Sequence, residues 1–551
     1  MGTRLLDLAA DSRPSPDANP WTECEMTSTV FLFSDRRNAW AFWLGSVMVS
    51  IGVALHLPMF WMARDSGYIL AGMEIDAGML IGMGCIVGGI IAACLGLLPK
   101  RLHEVATYER ISPPEDAPLT WAHWRLMIVL AVALVIDIMK PASLGFVTPG
   151  MRLEYALDPK SVALLPLSAL LGTAFGSFLW GALADLYGRR ATILLSSVMF
   201  VGTSICGAMP SFWWNVGMCF LMGAAAGGML PVAYTLLAEI MPTRHRGWCL
   251  VLVGGVGTIG GYFAASELSA LLQPAFGWRI MWFLNMPTGL ILIAMSPLIP
   301  ESARFLQHMG RLEESRATLR RFGAVSQEER APMAREGEKS SIRTTNVPSE
   351  TASLLGTTAA LTLAALSWGF VNFGVLLWLP SALVANGRSI GLASTIIAKS
   401  TLFAAPTVVF AAYLYSTWST KRSLLAATAI MTLGLGALLL HELAIVPMLS
   451  NPIIPVALLI VGASGVISIL LPYSTENFPI RMRGRSTGWV AGWSKIGGLV
   501  AQILSVLSLV PSLGTAIAAV IVPALASILL VVVFGPETRG RDLRELESHE
   551  D

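Results

Sequence analysis

Long apolar runs alternate with short polar breaks along almost the whole chain. A helix needs about 20 apolar residues to cross the hydrocarbon layer of a bilayer. Runs of that order occur near 39–63, 77–99, 126–150, 161–182, 191–209, 214–238, 248–273, 280–299, 356–384, 389–416, 423–448, 453–475, 486–510 and 512–534, so fourteen membrane spans are expected. One polar stretch is long: 301–353 begins with ESARFLQHMGRLEESRATLRRF, which has helical spacing and mixed charge, and continues as a Ser/Thr/Glu-rich linker. Residues 1–35 are polar and proline-bearing, which predicts a disordered cytoplasmic tail and no cleavable signal peptide.

The breaks differ in sign. Arg36 and Arg37, then Lys100, Arg101 and Arg110, Arg189 and Arg190, Arg244 and Arg246, Lys421 and Arg422, and finally Arg481, Arg483 and Arg485 all fall on one side of the predicted membrane. The positive-inside bias makes that side cytoplasmic and predicts that both termini lie there. The expectation is a multi-pass protein of a bacterial cytoplasmic (inner) membrane.

Composition agrees with this pattern. Of 551 residues, 54% are hydrophobic and 13% charged, and the mean hydropathy is +0.66, whereas a soluble domain is about one quarter charged. The net charge of +2 gives no reason to expect a nucleic-acid partner. Cys24, Cys85, Cys94, Cys206, Cys219 and Cys249 lack paired spacing, so free thiols are expected rather than a disulfide or metal site. The histidines form no H-E-x-x-H pattern and no G-x-x-x-x-G-K-[ST] loop occurs. No enzyme and no cofactor are therefore expected, and transport would draw on an ion gradient.

The chain also repeats itself. Glu239-Ile-Met-Pro242 with Arg246-Gly247 recurs as Glu476-Asn-Phe-Pro479 with Arg483-Gly484, and Pro300-Glu301-Ser302 recurs as Pro536-Glu537-Thr538. The near-constant offset predicts two six-span halves on one plan. The predicted organisation is a tail at 1–35, two extra transmembrane helices at 36–100, a first six-helix half at 126–300, a cytoplasmic linker with helices at 301–353, a second half at 354–535 and a tail at 536–551.

Gly181-Ala-Leu-Ala-Asp185-Leu-Tyr-Gly188-Arg189-Arg190 resembles the loop signature between core spans 2 and 3 of the major facilitator superfamily. The two E-x-x-P-x-x-x-R-G copies, PESARFL and PETRGRDL are similar to its sugar-porter and aromatic-acid or metabolite:proton symporter branch. The resemblance covers 126 to about 545. It implies an all-α major facilitator fold of two pseudo-symmetric six-helix halves, here with two additional N-terminal helices, and secondary transport by alternating access. The counterpart of the signature in the second half, TWSTKRS, keeps Lys421 and Arg422 but not the aspartate.

Charge at a helix end gives the signature a physical role. Asp185 is placed to pair with Arg189 or to cap a neighbouring helix, and Gly181 and Gly188 would let two helices approach closely. With Arg190, Glu239, Arg246, Glu476 and Arg483 they form the expected cytoplasmic gate. The plainer reading is a positive-inside turn.

Within the first core span, VIDIMKPASLGFVTP carries Asp137 and Lys140 three residues apart, on one helix face. An intramembrane charge costs at least about 2.5 kcal/mol on insertion scales, so it tends to persist where it faces a cavity and works. The stretch lines up with the first span of aromatic-acid symporters, which typically carry D-G-F-D before G-F-x-x-P; Lys140 takes the place of the second aspartate. Two readings stand open: a self-neutralising pair that keeps the span folded, or a coupling site. In the second, Lys140 meets an anionic substrate and Asp137 carries the proton or rests on the lysine.

Other polar residues in the runs extend the candidate site. Lys399 would face the first half across the cavity, or else snorkel to an interface. Glu267 is a second proton-coupling candidate; Lys495, in GWSKIGG, stands where relatives in the resembled family often carry arginine, and is equally read as a structural partner to a neighbouring helix. Trp368 and Asn372, four apart, share a face and with Phe373 line what would be the second-half wall, Trp378 is either wall or interfacial anchor, and Asn285 adds a hydrogen bond. Cys219 stands where relatives place a relay arginine, and core span 5 lacks the G-P pair of antiporters.

The sequence favours proton-coupled uptake of a small organic anion, a carboxylate with or without an aromatic ring. The partners are then a small molecule, protons and membrane lipid, with oligomeric state open. Proton-antiport export of a natural product or drug, neutral sugar uptake, and a non-transporting membrane sensor remain alternatives.

Overall fold

The computed structural model describes residues 36–98, 119–323, 350–445, 451–478, 480–509 and 512–539. The N-terminal tail, residues 324–349 of the linker and residues 540–551 lie outside them. Among the described residues all regular structure is helical. Thirteen helices are long and apolar enough to cross a membrane: Arg36–Ser66 and Ala77–Leu97, then core spans 1 to 10 at Trp121–Glu154, Pro159–Tyr187, Arg189–Ala208, Phe212–Ile240, Arg244–Phe276, Ile280–Leu298, Leu355–Ala385, Ile390–Thr417, Thr420–Glu442 and Ile453–Glu476, and core span 12 at Leu513–Phe534. The expected count of fourteen is not met on that measure. The span predicted at 486–510 is the 27-residue helix Ile480–Val506, core span 11, whose three arginines, Lys495 and Gln502 set it apart from the thirteen.

Small residues let these helices close on one another. A Cβ on Gly172 or Gly176 of core span 2 would run into the backbone of span 4, one on Gly369 of span 7 into span 11, and one on Gly462 of span 10 into span 9. Close backbone approach of this kind drives helix association where no hydrophobic force acts between helices in lipid. Core span 5 packs along span 1 in its own half and along span 8 in the other, while span 2 meets span 11 and span 1 meets span 7. The two halves therefore join around spans 1, 2 and 5 of the first and 7, 8 and 11 of the second.

The two additional helices form an antiparallel hairpin zipped by Gly45 and Gly52 against Gly82 and Gly89. Asp76 caps the second helix by accepting from Met79 N at 2.7 Å. The hairpin lies against core span 3, where Val49, Val53 and Ile86 share an apolar cluster with Leu194, Val198 and Val201. Its connecting loop reaches a buried ion pair at the end of the first half: Glu154 Oε1 accepts from Arg279 Nη2 at 2.6 Å and from Leu70 N and Ala71 N at 2.8 and 2.9 Å. Trp278 Nε1 donates to the other carboxylate oxygen at 2.8 Å, and Arg279 also reaches the carbonyls of Gly207 and Met209 and the Tyr155 hydroxyl.

Candidate functional site

Core span 1 carries its two charges near the middle of a 34-residue helix. Asp137 is 5% and Lys140 1% exposed, and neither Asp137 Oδ1 nor Lys140 Nζ has a hydrogen-bond partner. They do not form the direct ion pair of the self-neutralising reading. The Lys140 ammonium turns into its own half and lies 2.8 Å from the centroid of the Phe200 ring on core span 3, a cation–π contact in place of a salt bridge. The cations that act on Asp137 are Lys140 and, from core span 11, Lys495. Lys495 is half-buried, with its ammonium 4.9 Å from the centroid of the Phe373 ring.

Phe373 is held by a local break in helix geometry. Core span 7 widens into a π-turn at Val371–Val375, a feature that frees backbone groups and recurs at functional sites. Gln502 of span 11 donates to the Phe373 carbonyl and accepts from Trp378 Nε1 at 3.3 Å. Asn372, in the same turn, accepts from the Tyr262 hydroxyl of span 5 at 3.0 Å through its side chain. Trp368 donates to the Ala463 carbonyl at 2.8 Å and meets Phe373 edge-on at 5.8 Å. The aromatic and amide wall expected in span 7 is thus assembled, tied to spans 5, 10 and 11.

The remaining candidates separate. Asn285 is 2% exposed and its Nδ2 has no partner; Gly289, one turn on, packs on Ser197 and Val201 of span 3, so Asn285 belongs to the first-half interior. Glu267 is half-buried on span 5. Lys399 is exposed, on the outer face of span 8 that also presents Leu392, Leu402 and Phe403. It does not face the first half, because its helix turns that side outward and a lysine there lays its stem along apolar surface. Lys495, which the sequence reading did not place in the site, acts on Asp137 alongside Lys140. Its mid-helix position before Gly497 and Gly498 signals it in the sequence.

At the end of the bundle that carries the loop signature, each half closes on a carboxylate. Glu301 accepts from the backbone N–H groups that open core span 3, Arg189 at 2.8 Å and Arg190 at 3.2 Å, the anion-binding geometry of a helix N-terminus. Ser302 donates to Glu239, and Arg189 Nη2 donates to the same side chain at 3.1 Å. Asp185 is a minor partner, 3.6 Å from Arg189 and 80% exposed. Gly188 has φ +97, and a Cβ there would meet the Glu301 carboxylate; that glycine is required. Gly181 is not a close-approach site, since a Cβ on it meets nothing within 4 Å.

The second half repeats the arrangement with other residues. Glu537 accepts from Thr420 N at 2.9 Å, Thr420 Oγ1 at 2.6 Å and Ser419 Oγ, and Thr538 Oγ1 donates to Glu476 at 2.7 Å. Glu301 and Glu537, with Ser302 and Thr538, are site residues missed at sequence level although the recurring P-E-[ST] tripeptide marked them. Burial raises the Glu301 carboxyl above its ordinary value, against the opposing N–H groups of Ser302 and Arg189. At Glu537 burial also acts upward, but the Ser419 and Thr420 hydroxyls and the Arg539 and Thr420 N–H groups outweigh it and hold the carboxyl at about 2. Arg246 is half-buried beside this region, and the Arg483 side chain lies outside the described residues.

Two pseudo-repeated six-helix halves, with a buried aspartate and lysine in core span 1 and, at one end, a carboxylate in each half capping the start of a span, define a membrane transport fold. The sequence model of the Major Facilitator Superfamily matches residues 126–502, and the chain belongs to that family of transporters. It is 24% identical over 445 residues to the niacin transporter NiaP of Acinetobacter baylyi, covering 79% of this chain and 99% of that one. It is 26% identical over 462 residues to the synaptic vesicle 2-related protein of Rattus norvegicus, covering 78% and 80%. Its fold matches the proton:xylose symporter XylE bound to 6-bromo-6-deoxy-D-glucose with a TM-score of 0.62 at 16% identity, over 78% of this chain and 99% of that one. An inward-open XylE from E. coli aligns at 0.59. The protein is thus a multi-pass transporter of a small molecule.

Proposed function

We propose that the protein takes up a small organic anion, a carboxylate with or without an aromatic ring, together with protons, across a bacterial cytoplasmic membrane with both termini inside. The observation that carries this is the buried Asp137 carboxylate of core span 1, without a hydrogen-bond partner among the described residues and acted on by the charges of Lys140 and Lys495. A carboxylate so placed takes up and releases a proton as its neighbours change, and the lysines are countercharges for a substrate anion. Lys140, Trp368, Asn372 and Asn285 belong to the substrate region in this reading, and Asp137, with Glu267 as second candidate, to proton coupling. Niacin, the substrate named for one relative, is itself a small aromatic carboxylate, which supports the class.

Stoichiometry follows from charge balance. A monoanion travelling with one proton carries no net charge, so only the pH gradient drives it, about 1.4 kcal/mol per unit; a second proton adds about 2.3 kcal/mol per 100 mV. The test is uptake by purified protein in liposomes of a mixed set of aromatic and aliphatic carboxylates and sugars, with and without an acidic exterior. An anion that accumulates only under the inward proton gradient, and fails to in Asp137→Asn, bears the proposal out. Accumulation of sugars alone, or a gradient effect of opposite sign, overturns it in favour of the sugar or exporter alternatives.

A further inference from the structure

The charge that the second half contributes at the junction has no assigned role, and the geometry around it gives it one. Lys495 lies on core span 11, fifteen residues into a helix of 27, and Asp137 lies at a similar depth on core span 1. A chain of packed groups puts them at one level. Gly261 of span 5 seats on Ile138 and Met139 of span 1; the next residue, Tyr262, bonds Asn372 of span 7; the residue after that, Phe373, lies under the Lys495 ammonium at 4.9 Å. Four spans from both halves meet there.

The two lysines near Asp137 differ in what they can reach. Lys140 is 1% exposed and its ammonium is seated on Phe200 within the first half. Lys495 is half-buried and has no hydrogen bond or ion pair among the described residues. Lys495 is the more exposed of the two cations. The ring beneath it supplies weak, adjustable attraction, and a cation so held moves more freely than one in a salt bridge.

We propose that Lys495 is the second-half partner of Asp137: it draws the halves together across the junction while Asp137 is ionised, and it turns to the substrate carboxylate when Asp137 takes a proton from the incoming side. The inference rests on the uptake reading for its second half only. The charged and titratable groups at this level are accounted for. Lys140 is turned to span 3, the Tyr262 hydroxyl is engaged by Asn372, and the charges that act on Asp137 among the described residues are the two lysines. Proton and anion then occupy the site together because each removes the other's competitor: the proton frees the ammonium, and the bound anion keeps the ammonium from recalling Asp137 to its charged form.

The experiment uses the full-length protein in two assays. Thermal denaturation in detergent without substrate is measured for wild type, Asp137→Asn, Lys495→Gln and the double variant. A charge pair predicts non-additivity, with the double variant more stable than the two single shifts combined predict; additive shifts overturn the pairing. Liposome uptake of nicotinate and benzoate is then measured for Lys495→Gln and Lys495→Arg. The expected result is a KM raised about tenfold or more in Lys495→Gln, equal to about 1.4 kcal/mol of lost binding, and largely restored in Lys495→Arg. A KM unchanged in Lys495→Gln overturns the anion contact. If wild type moves neither probe nor any other carboxylate, the uptake reading falls, and the denaturation cycle alone decides whether Lys495 and Asp137 are partners.

Discussion

Gly188 shows how much one backbone conformation carries. With φ +97 it turns the chain so that two consecutive N–H groups point at Glu301, and an alanine there is strained by about 1–3 kcal/mol as well as crowding the carboxylate. Gly188→Ala is expected to lower the denaturation temperature and slow uptake, whereas Gly181→Ala leaves both unchanged; thermal denaturation of the two variants side by side checks this. The paired carboxylates differ in a testable way. Burial opposes charge at Glu301, so Glu301→Gln, which keeps one acceptor oxygen but sets an NH2 against the other backbone N–H, is expected to cost about one hydrogen bond, about 1 kcal/mol. Glu537 is held at about 2 against an ordinary 4.5. A depressed carboxyl contributes stability that is present above the ordinary value and is lost as pH falls toward the folded one. Wild-type stability should therefore decline between about pH 4.5 and 2 by an increment that Glu537→Gln lacks, as acid titration of unfolding would show. The sequence disclosed these carboxylates only as a repeated tripeptide, because which N–H groups they cap depends on where separate spans end. It could not place Lys399 and Lys495 either: hydropathy gives a span's position but not its rotation, and both lysines sit inside equally plausible runs.

At the scale of the element, the π-turn Val371–Val375 is the part least regular and most connected. The Tyr262 to Asn372 bond links spans 5 and 7 across the halves, and one buried hydrogen bond contributes about 1 kcal/mol. Tyr262→Phe is expected to cost about that much stability and to change uptake rate more than KM, because it loosens the wall without removing a charge; parallel denaturation and transport kinetics separate the two. The span boundaries were legible in the sequence to within a few residues, since lipid demands unbroken apolar helices. The π-turn was not, for Trp368, Asn372 and Phe373 read as an ordinary helical face. Span 11 was legible as a helix, but its arginines, lysine and glutamine show that it serves the junction more than the lipid.

For the molecule as a whole, the hairpin of Arg36–Ser66 and Ala77–Leu97 is continuous with the first half rather than an appendage. Its glycine zip and its fit on span 3 follow from small residues visible in the sequence, but its tie to Glu154 and Arg279 joins positions some 80 and 210 residues from Leu70 and was not readable there. Breaking a buried ion pair by removing one partner costs about 3–5 kcal/mol. Glu154→Gln is therefore expected to destabilise the whole first half and to free the hairpin loop to protease, with intact Lys495 chemistry in any protein that survives; limited proteolysis with denaturation checks it. The same tie orders synthesis. Leu70 and Ala71 are made first, the Glu154 carboxylate next and the Arg279 guanidinium last, so an early loop holds a place that only the sixth core span can fill. The first half can therefore complete this tie as soon as its sixth core span begins, before any of the second half is made.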